Sequence, residues 1–196
     1  MDILSLQQEM ARILKPKRYL HVLGVQFTCA SLAMKYHANI EKAQIAGLIH
    51  DCAKHLSDEM QLEECIKYKI PVTEIETKVP ALLHSKVGAY YAKSVYGIED
   101  EDILNAIIYH TTGRPNMTLL EKILYVADYI EPSRPADKMR GLNEVRSMAF
   151  EDLDATIVKI ASNTLDYVNS GNGGVDETSI DTLNYYRKLV EQRSVK

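Results

Sequence analysis

The chain has 196 residues, enough for one sizeable helical core or at most two small ones. Its net charge of -4 argues against any general attraction to nucleic acid or to an anionic membrane, so an anionic ligand needs a local cluster of positive groups. No apolar run is long enough to cross a bilayer and the N-terminus lacks a basic leader region, so we expect a cytoplasmic protein.

The first two predicted helices begin at a cap and at a proline. Asp2 can cap the first helix, and Pro16 fits the first turn of the second. The second helix is predicted to turn one apolar stripe toward the core: Leu20, Leu23, Phe27, Ala30 and Met34. Gly24 lies beside His21 in this helix, where a glycine marks close packing or room for a ligand.

The third predicted helix carries a histidine and a carboxylate, His50 and Asp51, side by side at the edge of its apolar face. That face has helical spacing: Ile45, Leu48, Ile49, Cys52, Ala53 and Leu56. An ionised carboxylate rarely enters a core unless something neutralises it, and a divalent metal would do so. His55, four residues after Asp51, is also admissible as a ligand on spacing alone.

The middle of the chain places two more histidines near the core. Ser57 is predicted to cap a helix, and residues 69–80 are predicted to be a loop with a short helical piece. His84 opens a helix rich in small residues. His110 follows Ile103 by seven residues, so it falls on the apolar face of the next helix.

The last third of the chain adds one more carboxylate at a core-facing position. Thr118 begins a helix in which Asp128 continues the apolar line of Leu120, Leu124 and Ala127. Residues 131–140 are predicted to be extended or turned, and helices with apolar stripes over 153–168 and 180–190 follow, separated by a stop at Gly171–Gly174. No strand alternation persists, so we predict an all-α fold, one domain over 1–196 with its core at about 16–190.

Six polar side chains thus face the core or its edge from different helices: His21, His50, Asp51, His84, His110 and Asp128. Imidazole with carboxylate suits iron, manganese, zinc or nickel, and the three cysteines are predicted to be buried thiols outside the set. Six ligands exceed the needs of one tetrahedral zinc, so two ions sharing Asp51, roughly 3.5–4 Å apart, are predicted. Two divalent ions would leave a positive surplus that suits a metal-activated hydroxide and phosphate oxygens.

The order of these residues resembles the ligand order of the HD-domain metal-dependent phosphohydrolases. Three segments more closely resemble the YqeK-type branch: Leu48-Ile-His-Asp-Cys-Ala-Lys54, Ile108-Tyr-His-Thr-Thr-Gly113 and Val126-Ala-Asp-Tyr-Ile-Glu-Pro-Ser-Arg134. The resemblance implies a helical HD fold, a centre of two divalent ions (iron, with manganese as the alternative), and symmetrical hydrolysis of diadenosine tetraphosphate (Ap4A) to two ADP. It also implies that His21, His50, Asp51 and Asp128 hold one ion, that Asp51, His84 and His110 hold the other and act in catalysis, and that His55 is not a ligand.

Candidate substrate contacts flank the ligands in sequence, since arginine and lysine bind phosphate oxygens. They are Arg18, Lys54, Thr111, Arg114, Arg134 and Arg140. Two alternatives stay open: another HD phosphohydrolase, acting as a 5'-nucleotidase or a cyclic-dinucleotide phosphodiesterase, and a non-catalytic nucleotide sensor. The sequence also allows a homodimer, for which the tyrosine-rich C-terminal helix is a candidate interface.

Overall fold

A computed structural model describes residues 2–170 and 174–194, and within them it contains α-helices, two short 3₁₀ helices and no strand. The all-α prediction is confirmed. The α-helices are α1 (Ile3–Ile13), α2 (Pro16–Tyr36), α3 (Ile40–Ile49), α4 (Asp58–Tyr68), α5 (Glu74–Lys78), α6 (His84–Ser94), α7 (Glu101–Tyr109), α8 (Leu119–Ile130), α9 (Leu142–Met148), α10 (Leu153–Asn169) and α11 (Glu177–Ser194). Residues 171–173, which make up most of the predicted helix stop at Gly171–Gly174, lie outside the described residues.

The predicted helix starts are confirmed by their caps. The Asp2 carboxylate accepts a hydrogen bond from the Ser5 amide at 2.8 Å, and the Ser57 hydroxyl accepts one from the Met60 amide. Thr118 and Glu121 form a capping box: the Thr118 hydroxyl accepts a hydrogen bond from the Glu121 amide, and the Glu121 carboxylate accepts one from the Thr118 amide. Helix α9, which the sequence did not reveal, begins after Gly141 in the left-handed conformation.

The predicted orientation of α2 is wrong. Leu20, Phe27 and Met34 are 59%, 57% and 58% exposed, whereas the buried face carries His21, Val22, Val25, Gln26, Cys29, Leu32 and Ala33. The helix is apolar on both sides, so periodicity could not decide which side α3 and α8 would cover.

The predicted continuation of α3 through Asp51 is also wrong, because α3 ends at Ile49 and a 3₁₀ helix runs over Cys52–His55. The imidazole Nδ1 of His50 lies 2.7 Å from the carbonyl oxygen of Gly47. That carbonyl is the acceptor that the amide of residue 51 would use in a continuing α-helix. His50 and Asp51 therefore lie in a tight turn at a helix end, with both side chains turned inward.

Helices α2, α3, α7, α8 and α10 supply most of a single large apolar cluster, in which Ile49, Ile107, Leu124 and Ile157 are at most 2% exposed. The three cysteines are buried free thiols, as predicted. In the part of the chain that the structure describes, no helix is both long and apolar enough to span a membrane. The C-terminal ends of α3, α7 and α8 meet the N-terminal half of α2 at one side of this core.

Candidate metal centre

The structure brings all six predicted ligands together. His21 lies in α2, His50 and Asp51 follow α3, and the remaining three come from the start of α6, the end of α7 and the end of α8: His84, His110 and Asp128. Five of the six are at most 6% exposed. They form three overlapping groups of potential metal ligands, and within each group the donor atoms lie within 4.8 Å of one another.

Asp51 lies between two sets of imidazoles. Its Oδ2 atom is 3.7 Å from Nε2 of His21 and 3.5 Å from Nε2 of His50. Its Oδ1 atom is 3.3 Å from Nε2 of His84 and 3.8 Å from Nε2 of His110. One carboxylate therefore presents a different oxygen to each set, which is the arrangement that a carboxylate bridging two cations requires.

Three of the imidazoles are oriented by the backbone next to them in sequence. His50, His84 and His110 each direct Nδ1 to the carbonyl oxygen of the residue three positions earlier, at 2.6–2.7 Å. Each Nδ1 therefore carries the proton and donates, which leaves the lone pair on Nε2 facing the centre. Such a bond on the outer nitrogen is the usual orienting contact of a metal-binding histidine.

His21 is oriented by a side chain instead, because it lies inside α2, where the backbone carbonyls are already used. Its Nδ1 lies 3.0 Å from Oε1 of Glu131, and its Nε2 lies 3.1 Å from Oδ1 of Asp128. Glu131 is fully buried and accepts two further hydrogen bonds from Ser133. A Cβ at Gly24 would overlap the Glu131 carboxylate, so the glycine makes room for this contact.

Several buried polar atoms at the centre lack a protein partner. Nε2 of His21, Nε2 of His50 and Oδ1 of Asp51 make no hydrogen bond to any described residue. Nε2 of His84 and Nε2 of His110 are 3.0 Å apart, although both rings donate from Nδ1 and so turn lone pairs toward each other. Lone pairs and a carboxylate that converge in this way suit a bound cation, so the residues present fit a divalent metal.

The region of the chain that carries the six residues matches a known protein family. Residues 18–133, more than half of the chain, match the family model described as "HD domain". The chain belongs to the HD-domain family. A solved HD-domain structure, described as a predicted HD superfamily hydrolase involved in NAD metabolism from Clostridium acetobutylicum, is 43% identical, covers 94% of this chain and 96% of its own, and has a TM-score of 0.89.

Two curated relatives are similar over nearly the whole chain. A protein from Halalkalibacterium halodurans is 41% identical over 90% of this chain and 91% of its own length. A protein from Bacillus subtilis is 41% identical over 86% of this chain and 88% of its own. Both are named "Bis(5'-nucleosyl)-tetraphosphatase, symmetrical".

The charge states in this HD-domain site favour metal binding. Burial lowers the pKa of His50 to about 4 and that of His84 to about 3, so both imidazoles are neutral at neutral pH. Burial alone would raise the pKa of Asp51 and of Asp128, but the facing imidazoles and arginines outweigh it and hold both carboxyls below their usual range. Neutral imidazoles and ionised carboxylates are the forms that bind metals.

We expect the metal-free protein to lose roughly 2–4 kcal/mol of unfolding free energy between pH 7 and pH 5, about 2 kcal/mol for each of His50 and His84 before the opposing effect of His21. His50 and His84 titrate near pH 6.5 when unfolded, so below that pH the unfolded chain binds protons that the native state excludes. The pKa of His21 is raised, because the facing carboxylates of Asp128 and Glu131 outweigh its burial, so His21 opposes this effect in part. Urea unfolding of chelator-treated protein at the two pH values measures the change. Equal or greater stability at pH 5 would contradict it.

A cavity of about 1170 Å³ opens beside the HD-domain centre and reaches it at His21 and Glu131. Its wall is strongly basic for a chain of net charge -4: Lys15, Lys17, Arg18, Lys54, Arg134, Lys138 and Arg140. Arg18 contacts Oδ2 of Asp51 at 2.7 Å, and Arg134 contacts Oδ1 of Asp128 at 2.5 Å. The cavity wall therefore carries positive charge at the predicted ligands, from Arg18 and Arg134, and further positive charge from its other lysines and from Arg140.

Four of the six predicted substrate contacts line this cavity: Arg18, Lys54, Arg134 and Arg140. The other two do not. Thr111 instead lies against the imidazoles, with its hydroxyl 3.2 Å from Nε2 of His110. Arg114 is committed elsewhere, since it pairs at 2.8 Å with the buried carboxylate of Glu121.

For two other side chains, His55 and Glu131, the structure differs from what helical spacing suggested. His55 is exposed, directs Nδ1 to the Cys52 carbonyl and belongs to none of the potential metal-binding groups among the described residues. Glu131 was missed as a functional residue, although it follows Asp128 by three positions in the segment that resembles the family. The signal that could have found it is a second carboxylate on the same side of the end of α8.

Proposed function

We propose that this HD-domain protein hydrolyses Ap4A symmetrically to two molecules of ADP. The observation that carries the proposal is the similarity, 37–41% identity over most of the chain, to proteins named as symmetrical tetraphosphatases. The site fits the reaction, because six metal-type ligands converge beside a basic cavity. A tetraphosphate bridge carries several negative charges, and the lysines and arginines of the cavity wall complement them.

We propose two divalent ions, held by His21, His50, Asp51 and Asp128 on one side and by Asp51, His84 and His110 on the other. The separate orientation of the two Asp51 oxygens supports this division. The nitrogen and oxygen donors suit iron, with manganese as the alternative. When bound, such ions polarise phosphoryl oxygens and lower the pKa of a coordinated water so that it can attack phosphorus.

The protein's own groups bind and orient the substrate. Arg18 and Arg134, each paired with a carboxylate of the centre, can turn their remaining N–H groups to phosphate oxygens. Lys54 donates to the Ala81 carbonyl at 3.3 Å and lines the cavity nearby. Tyr129, Met139 and Tyr167 also line the cavity, and their apolar surface suits an adenosine.

Product analysis with a nucleotide panel tests the proposal. Metal-loaded protein should convert Ap4A to ADP as the sole product. Inorganic phosphate from a mononucleotide would favour a 5'-nucleotidase, and a linear product from a cyclic dinucleotide would favour a phosphodiesterase. Tight nucleotide binding without turnover would favour a sensor.

Replacing Lys54 with methionine is expected to raise KM for Ap4A about tenfold, the size of one lost charge-assisted hydrogen bond. Methionine keeps the apolar stem, so packing against the 3₁₀ turn should persist. Lys35→Met is the matched control, since Lys35 is exposed near the end of α2 and does not line the cavity. Steady-state kinetics measure both, and an equal change in the two variants would contradict a role of Lys54 in substrate binding.

Three expectations from the sequence stay predictions: one domain over residues 1–196, a location in the cytoplasm, and the absence of nucleic-acid and membrane partners. The homodimer that the sequence allows also stays a prediction.

A further inference from the structure

Helix α10 contributes to the cavity wall an asparagine whose amide group is held in one orientation. Asn163 lines the cavity, and its Nδ2 atom donates to the carbonyl oxygen of Arg140 at 3.1 Å and to the hydroxyl of Tyr129 at 3.2 Å. A backbone carbonyl only accepts hydrogen bonds, so the nitrogen of the Asn163 amide, and not its oxygen, must face Arg140. Both hydrogens of the amide are thus used within the protein.

The oxygen of the same amide is available to a ligand. Oδ1 of Asn163 accepts no hydrogen bond from any residue that the structure describes, and it is not buried. It cannot exchange places with Nδ2 unless the Arg140 carbonyl loses its hydrogen bond, which is costly. Asn163 therefore offers the cavity a fixed hydrogen-bond acceptor.

Tyr129 supplies a hydrogen-bond donor beside this acceptor. Its hydroxyl oxygen accepts the bond from Asn163, so its own proton stays available, and no side chain or carbonyl within the described part of the chain accepts that proton. Tyr129 also lines the cavity and directly follows the predicted ligand Asp128 in α8. An acceptor and a donor thus lie side by side in the wall of the cavity.

Tyr167 offers a flat apolar surface one helical turn away. It follows Asn163 by four residues in α10, so the two side chains are neighbours on one face of the helix. Tyr167 lines the cavity and is 80% exposed, the highest value among the large apolar side chains that the structure describes as exposed. An aromatic ring stacked on Tyr167 lies within reach of the Asn163 amide.

We propose that Asn163, together with Tyr129, selects adenine as the base of the nucleotide in the cavity by accepting a hydrogen bond from its 6-amino group. The proposal rests on the proposed function only in taking a nucleotide as the ligand. Adenine presents an amino donor beside a ring-nitrogen acceptor, which complement the Asn163 oxygen and the Tyr129 hydroxyl. Hypoxanthine and guanine carry an oxygen at position 6, which would face Oδ1 with no hydrogen between the two atoms. Unpaired polar groups of this kind make such a site selective.

The binding of ADP and of inosine diphosphate (IDP) to manganese-loaded protein tests the proposal, because the two bases differ at position 6 and in the proton at N1. By isothermal titration calorimetry, the unaltered protein should bind ADP about tenfold more tightly than IDP, the size expected for one hydrogen bond and one unpaired acceptor. Asn163→Ala should bind both with nearly the same Kd. Equal binding of ADP and IDP by the unaltered protein, or a tenfold preference kept by Asn163→Ala, would overturn the proposal.

Arg146→Lys is the matched control for a merely structural role of Asn163. Like Asn163, Arg146 bonds the backbone around the segment that joins α8 to α9: it donates to the carbonyls of Ile130 and Glu131 at 2.9 and 3.0 Å. It does not line the cavity. A looser segment should change the Kd of ADP and of IDP by the same factor, so Arg146→Lys should keep the preference for ADP. Equal loss of the preference in Arg146→Lys and Asn163→Ala would overturn the assignment.

Turnover of Ap4A, measured on the same protein, separates this proposal from the proposed function. Hydrolysis of Ap4A with equal binding of ADP and IDP would support the hydrolase and overturn the base contact. A preference for ADP that depends on Asn163, without hydrolysis of Ap4A, would support the base contact and overturn the hydrolase. Binding of neither nucleotide would overturn both.

Discussion

Replacing Asp51 with alanine is expected to remove bound metal and to lower the rate of Ap4A hydrolysis roughly a thousandfold, equivalent to about 4 kcal/mol of transition-state stabilisation. The Asp51 carboxylate is 2% exposed, and its two oxygens face two different pairs of imidazoles. Both proposed half-sites therefore lose a ligand at once. Elemental analysis of anaerobically purified protein, together with turnover of Ap4A, measures the two effects.

His55→Ala is the control for this variant. His55 is four residues from Asp51 in sequence, but it is exposed and its ring is bonded to the Cys52 carbonyl. The control should keep its bound metal; because His55 also lines the cavity, metal content rather than turnover is the measure for which it serves as the control. If His55→Ala lost metal while Asp51→Ala kept it, the ligand assignment would be wrong; equal turnover by Asp51→Ala and the unaltered protein would remove the enzymatic function.

Replacing Glu131 with glutamine is expected to lower the affinity for the proposed ion near His21 by 10–100-fold, the range for loss of an outer partner of a metal-binding histidine. Among the four imidazoles, His21 is oriented by a carboxylate, whereas the other three are oriented by neutral carbonyls. The negative charge of Glu131 makes Nε2 of His21 a stronger donor. Its loss should therefore affect the ion near His21 and spare the ion near His84.

Metal stoichiometry during titration with a chelator measures this effect without relying on activity. Glu131→Gln should release one ion early and keep the second, and Gly24→Ala should do the same, because its Cβ would displace the Glu131 carboxylate. Glu76→Gln is the matched control: Glu76 is a buried carboxylate whose partners are Lys86 and the Thr73 amide rather than a predicted ligand, and it does not line the cavity. Simultaneous loss of both ions, or the same profile in the control, would contradict the prediction.

Local signals in the sequence were reliable where the chain decides its conformation over a few residues. The Asp2, Ser57 and Thr118 caps each depend on hydrogen bonds within three residues, and all three form as predicted. The six candidate ligands could be proposed in advance, because a histidine or aspartate at or beside a core-facing position is unusual. Spacing alone also admitted His55, and only the family resemblance removed it.

Longer-range features could not be read in the same way. The sequence gives α2 two apolar faces, and only the packing of α3 and α8 decides that the face with Cys29 is buried while the face with Phe27 is exposed. Helical spacing placed His50 and Asp51 within a continuing helix, but the bond from the His50 ring to Gly47 ends that helix. Arg114 flanks a ligand in sequence, yet Glu121 holds it away from the cavity.

The sequence by itself determined the helical class, the order of the candidate ligands and the chemistry of their donor atoms, since these depend on residue type and short spacing. Only the tertiary structure decided that Asp51 turns one oxygen to each set of imidazoles, that Glu131 orients His21, and which side of α2 meets water. These features join residues that are distant in sequence; His21 and Glu131, for example, are 110 positions apart. Such contacts depend on how whole helices pack, which no local sequence pattern encodes.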